Sequence, residues 1–232
     1  ELITSTLEAG TVPFDLLLWD VETGERRQRF DLSGDDVYCL SISPDGAQAV
    51  TGSSYSNVSA VWNLETGERI LTLEGHQEAV VSVAMGPDGR RALSGSYDDS
   101  LVLWDLETSQ PIAHLDAHRS DVLDVAFGLD GHTALSSSQD GGLILWDLVD
   151  AAEMKRLVGH GDMVWDVDFT PDGKLALSSS GAAAPGAPVQ DASIRLWDLE
   201  LGTQLQIFEL PVDVIFQVAI SPDGHSALVA TN

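Results

Sequence analysis

Basic residues are scarce in this 232-residue chain, where 11 Lys and Arg face 37 Asp and Glu for a formal net charge of −26. A field of that sign repels nucleic-acid phosphates instead of steering them in, so nucleic acid is excluded as a partner class. The one cysteine, Cys39, permits neither an internal disulfide nor a C-x-x-C metal or redox pair. Nothing else argues for an oxidising compartment. Long apolar runs are missing too: no window reaches the roughly 18 consecutive apolar residues of a membrane helix, and no basic region followed by an apolar run opens the chain. A cytoplasmic location without membrane contact is the expectation. Glu1, not Met, stands first, as in a processed product or a part of something longer.

What the chain does have is 44 % hydrophobic residues, enough for one sizeable core or a row of smaller repeated ones. It also has a beat. Trp followed by Asp or Asn recurs at Trp19-Asp20, Trp62-Asn63, Trp104-Asp105, Trp146-Asp147 and Trp197-Asp198, at spacings of 43, 42, 42 and 51 residues. The triplets Pro44-Asp45-Gly46, Pro87-Asp88-Gly89, Leu129-Asp130-Gly131, Pro171-Asp172-Gly173 and Pro222-Asp223-Gly224 keep the same spacings. Two markers in lock-step define a structural repeat. Between them lie short alternating apolar runs punctuated by turn residues, the pattern of strands. In the third repeat these are Val80 to Met85, Arg91 to Ser96, Leu101 to Leu106 and a run around Pro111 to Leu115. Four antiparallel strands of five or six residues cannot bury their faces alone and must stack on neighbouring repeats.

On these residues the chain resembles the WD40 family of β-propellers, whose repeat runs from Gly-His to Trp-Asp over four strands. The resemblance covers essentially the whole chain, and the compact repeats are like those of bacterial multidomain proteins. It implies an all-β fold of four-stranded blades with about five blades present, over segments of about 1–30 (partial), 31–74, 75–116, 117–158, 159–209 and 210–232 (partial). Gly75-His76, Ala117-His118 and Gly159-His160 stand at the Gly-His position. The resemblance then implies three buried hydrogen-bonded tetrads: His76, Ser94, Asp98 and Trp104; His118, Ser136, Asp140 and Trp146; His160, Ser178, Asp191 and Trp197. The second repeat departs, with Leu32-Ser33 for Gly-His, Thr51 for Ser and Ser56 for Asp, and the last has Leu210-Pro211. Those blades are expected to rely on apolar packing. Seven blades of about 42 residues need roughly 290 residues. The expectation is therefore an arc of a larger propeller, covered at its ends by missing blades or another copy of the chain. The alternative is a five-bladed ring in which the last two strands complete a blade with residues 14 to 30.

The resemblance also places a partner-binding top face at residues flanking the start of each first strand and before each tetrad Asp. By position these are Asp36, Tyr38, Tyr55, Ala79, Val81, Tyr97, Asp121, Leu123, Gln139, Met163, Trp165, Gln190, Val214 and Phe216. All three tyrosines of the chain fall in this set, as does Trp165, the only Trp off the periodic Trp-Asp and Trp-Asn positions. Large aromatic and Met side chains are what protein-binding hot spots concentrate. Tyr38, Tyr55, Val81, Tyr97, Leu123, Met163, Trp165 and Phe216 are accordingly the candidate contacts. The extra nine residues of the fifth repeat fall within Ser179 to Gln190, an Ala, Pro and Gly-rich stretch expected to be loop, and Thr6 to Pro13 reads as a similar insertion. The acidic turns, such as Glu22, Glu65 and Glu107, read as a solvated rim.

Ser, His and Asp together suggest hydrolysis. A set repeated every 42 residues is instead a structural device, because catalysis needs one set in one cleft. No phosphate loop, His-Glu-x-x-His or Gly-x-Ser-x-Gly occurs. His114 and His118 do not sit on a helix, and no metal or cofactor is expected. The functional expectation is a non-catalytic scaffold for a protein or peptide. The alternative is a sensor domain of a larger signalling enzyme carrying a kinase, nucleotide-switch or protease domain.

Overall fold

The computed structural model describes residues 2–6, 15–33, 35–183 and 186–231. Among them are 21 strands and no helix, and the strands fall into six antiparallel sheets. The first holds β1 (Leu2–Thr6), β2 (Asp15–Trp19) and β3 (Arg26–Phe30). Four complete blades follow. They are β4 (Cys39–Ile42), β5 (Gln48–Gly52), β6 (Ser59–Asn63) and β7 (Arg69–Leu73); β8 (Val80–Met85), β9 (Arg91–Ser96), β10 (Leu101–Asp105) and β11 (Gln110–Leu115); then β12 (Val122–Phe127), β13 (Thr133–Ser138), β14 (Leu143–Asp147) and β15 (Ala152–Leu157); and β16 (Met163–Phe169), β17 (Leu175–Gly181), β18 (Ser193–Asp198) and β19 (Thr203–Glu209). The last sheet is β20 (Ile215–Ile220) with β21 (Ala227–Thr231). Strands and blades thus lie where the periodic reading places them. The five-bladed alternative fails, because β20 and β21 pair only with each other while β2 is flanked by β1 and β3. The sheets form a partial, unclosed propeller.

Both sequence markers are turns. At the first hairpin of a blade the Asp accepts a backbone N–H bond from the residue two on, and at Asp88 and Asp130 also from the residue three on, as Asp130 Oδ1 does from His132 (2.8 Å) and Thr133 (2.9 Å). The following Gly takes φ of 66–72° at Gly46, Gly89, Gly131, Gly173 and Gly224, the left-handed region that costs a side chain. The Asp or Asn after each Trp does the same at the last hairpin: Asp105 Oδ1 accepts from Glu107 (2.8 Å) and Thr108 (3.0 Å).

The first strands β4, β8, β12, β16 and β20 pack side by side along the sheets' inner edge. The outermost strands are largely exposed, apart from a terminal apolar residue such as Leu73, Leu115 or Leu157. Each gap between blades is one small core. Trp62, Trp104, Trp146 and Trp197 each sit in a separate cluster with the preceding blade's aliphatic residues. The stretch expected to be loop from Ser179 is in part strand. Ser179, Ser180 and Gly181 extend β17 because they continue its ladder to Asp166, Val164 and Met163. The nine extra residues therefore fall within the β17–β18 connection, residues 182–192. The other expected insertion, Thr6 to Pro13, lies almost wholly outside the described residues.

Candidate functional site

The three tetrads form as expected, and their chemistry is a one-way relay of hydrogen bonds. Trp104 Nε1 donates to Ser94 Oγ (2.8 Å), Ser94 Oγ donates to His76 Nε2 (2.7 Å), and His76 Nδ1 donates to Asp98 Oδ2 (3.0 Å). The proton positions follow from the partners, since an indole N–H can only donate and a carboxylate only accept. Trp146, Ser136, His118 and Asp140 repeat it at 2.8, 2.7 and 3.3 Å. Trp197, Ser178, His160 and Asp191 do so at 2.8, 2.7 and 2.8 Å. Burial, partly offset by the aspartate, holds His76 and His160 below the usual histidine range, consistent with neutral rings. Burial works against ionisation of Asp140 and Asp191, yet the histidine bonds and backbone N–H groups keep both well below the usual carboxylate range.

These sets have the connectivity of a hydrolytic triad and none of its access. Ser94, Ser136 and Ser178 are fully buried, and each hydroxyl oxygen is occupied by an indole N–H. No substrate carbonyl can reach them, so their role is to tie the loop entering a blade to its middle strands. Gly75 shows how closely that loop approaches: a Cβ there would lie 2.8 Å from the Trp104 ring.

The second blade corrects the expectation of apolar packing alone. Thr51 Oγ1 accepts the Trp62 indole N–H (2.9 Å). Asp35 takes hydroxyl bonds from Ser53 (2.6 Å) and Ser56 (2.9 Å), and the Arg69 guanidinium lies over the Trp62 ring at 5.9 Å. Asp35 and Arg69 were not singled out in the sequence. The only signal was the Asp35-Asp36 pair, one residue beyond the Leu32-Ser33 that stands where Gly-His belongs. Asp36 and Val214, expected on the exposed face, are buried. Asp36 is consumed by bonds from Ser53, Ser54 and Tyr55.

Of the candidate contacts, Tyr38, Val81, Leu123, Trp165 and Phe216 line one depression of about 450 Å³ at the inner strands. The repeat explains the convergence: all five stand at one blade position, on five successive first strands or the residue leading into one. Trp165 and Phe216 meet edge to face at 5.6 Å, and Tyr97 lies beside Tyr38, its phenol pushed up to about 12 by burial and by that neighbour. Val81 is buried and forms wall, whereas Tyr38 and Phe216 are exposed. Tyr55, 70 % exposed, and Met163 lie outside this lining. Trp165 Nε1 is screened from solvent with no acceptor among the described residues, a vacancy that a native fold rarely leaves unfilled.

Beneath the rim runs a second periodic feature that sequence reading missed. Short polar side chains on each first strand cap the N–H groups of the next blade's inner edge. Ser82 Oγ accepts from Val125 N (3.1 Å), Asp124 Oδ2 from Val167 N (3.1 Å), Asp166 Oδ2 from Val218 N (2.7 Å) and Asp168 Oδ2 from Ile220 N (2.8 Å). Such capping satisfies donors that an open strand edge leaves bare.

Four-stranded antiparallel blades, stacked core by core and pinned by buried Trp-Ser-His-Asp relays, define a propeller-type repeat protein. The chain belongs to the WD domain, G-beta repeat family, whose repeat matches residues 24–63, 67–105, 109–147 and 152–198. A search of the curated proteins finds no match to it.

Proposed function

We propose that this chain is a non-catalytic docking platform that binds a protein or peptide over the depression rimmed by Tyr38, Leu123, Trp165 and Phe216, with Tyr97 beside Tyr38. Repeats of this family generally mediate protein interactions. The observation that carries the reading for this surface is the convergence of Tyr38, Leu123, Trp165 and Phe216 on one depression at the inner strands. The rings supply contact area to a bound peptide at low entropic cost.

The test is a peptide-display selection on the immobilised chain, followed by affinity measurement on Trp165→Ala and Tyr97→Ala. Loss of about 2 kcal/mol, roughly 30-fold in Kd, is expected for Trp165→Ala with the melting temperature little changed. Selected peptides that bind wild type and both variants equally place recognition elsewhere.

A further inference from the structure

Resting on that docking reading, we infer that the depression takes a cationic side chain, the guanidinium or ammonium of an Arg or Lys in the bound peptide, between the Trp165 and Phe216 rings and the carboxyls of Asp124 and Asp166. Both carboxyls line the depression together with the aromatic residues, and no Lys, Arg or His is among the lining residues. Neither carboxyl has a basic partner among the described ion pairs. Their known contacts are the Ser82 hydroxyl on Asp124 Oδ1 (2.7 Å) and the Val167 and Val218 N–H groups.

Two carboxyls lining one depression repel each other when both are ionised, and a cation between them relieves that repulsion. Burial first, and the Asp124 charge second, raise Asp166 above the ordinary carboxylate range, so its carboxyl holds a proton more readily than an exposed one. That proton stands where an external cation can substitute: entry of an ammonium or guanidinium forms the ion pair and releases the proton to solvent. The rings add attraction for the same charge, since their faces are electron-rich. The net charge of −26 raises the local cation concentration over the whole surface. An anionic side chain meets repulsion from the same groups, and a neutral one gains only ring contact.

The probes are N-acetyl-Ala-Arg-Ala-amide, its lysine analogue, and its citrulline analogue, which keeps the shape of arginine without the charge. Binding to the intact chain is followed through the NMR shift of the Trp165 indole N–H, assigned by its disappearance in Trp165→Phe. The charged peptides are expected to shift that resonance with an affinity about tenfold or more above citrulline. In Asp124→Asn with Asp166→Asn the preference is expected to vanish, while the amides still accept from Val167 and Val218. Equal binding of arginine and citrulline peptides at Trp165 overturns the charge inference and leaves the docking reading standing. Charged peptides that bind without moving the Trp165 resonance overturn it as well. The wild-type comparison alone decides the matter if the double variant does not fold.

Discussion

The gap between the blades β12–β15 and β16–β19 and the gap after β19 start from the same repeat position and end differently. Leu157 in the first is 0 % exposed and packs in a cluster with Trp197; Phe208, its equivalent in the second, is 41 % exposed. Phe suits this position: Phe30 occupies it in the first sheet and takes Trp62 edge-on at 5.8 Å. What differs is the neighbour. Each other gap receives an indole from the following blade, while among the described residues β20 and β21 bring none, leaving a groove of about 590 Å³ lined by Leu177, Ile194, Leu196 and Phe208. A blade's last strand therefore acquires its burial from the next blade, as in other stacked-repeat folds.

The sharpest break of this comparison is a pair of truncations. Leu157→Ala is expected to cost about 3–4 kcal/mol in urea unfolding, and Phe208→Ala less than about 1 kcal/mol, although Phe is the larger residue. Comparable losses at both positions mean that the groove beside Phe208 is occupied in solution.

The next comparison sets a full tetrad against the improvised network of the second blade. Ser94 both accepts from Trp104 and donates to His76, so Ser94→Ala leaves two buried groups unmatched, at a cost of about 2–3 kcal/mol. Thr51 serves the Trp62 indole and, weakly, the Ala60 carbonyl at 3.5 Å, and Thr51→Ala is expected to cost about 1–2 kcal/mol. The order of the two melting temperatures is the readout.

That contrast also explains what the sequence could reveal. The Trp104, Ser94, His76 and Asp98 set was legible because it recurs at fixed offsets within a single repeat. Asp35 was not, because it compensates for a missing His from a different offset in the loop. Asp124 and Asp166 were illegible for another reason: their partners are N–H groups of the following blade, and alternation along one strand gives no register between blades. The depression itself was legible in Tyr38, Val81, Leu123, Trp165 and Phe216, since a shared repeat position becomes spatial adjacency once blades stack. Burial of Asp36 and Val214 was not, since it depends on which loop folds over them.

The tetrad aspartates and the inner pair also respond to pH in opposite senses. Asp140 and Asp191 ionise more readily folded than unfolded, so the stability they add is complete above about pH 4 and is lost as pH falls through their lowered folded values. Asp124 and Asp166 are raised by burial, Asp166 also by the charges of Asp124 and Asp168. Their contribution is complete below about pH 4 and is lost as pH rises through their folded values. From the strands flanking β16, the facing side chains beyond Asp124 are the uncharged Ser179 and Gln217. Asp166→Asn keeps a donor for Asp124 and an acceptor for Val218. Urea unfolding across pH 6 to 10 is expected to fall less steeply in that variant, by about 1 kcal/mol over the range. An unchanged slope assigns the alkaline loss to other groups.

The smallest expected effect compares the final hairpins of the blades, where the fifth residue after the Trp is left-handed in every case. Gly24, Gly67 and Gly202 meet that demand with φ of 69–76°, but Ser109 and Ala151 hold φ of 60° and 51° with a side chain attached. Left-handed backbone costs an L-residue about 1 kcal/mol, and the greater freedom of an unfolded glycine returns part of the gain from replacing it. Ser109→Gly and Ala151→Gly are therefore each expected to stabilise by about 0.5–1 kcal/mol. Gly24→Ala is the control: a Cβ there meets nothing within 4 Å, so its loss reports backbone conformation alone. If Gly24→Ala is neutral while Ser109→Gly stabilises, the strain at Ser109 comes from its side-chain contacts and not from the turn that all five hairpins share.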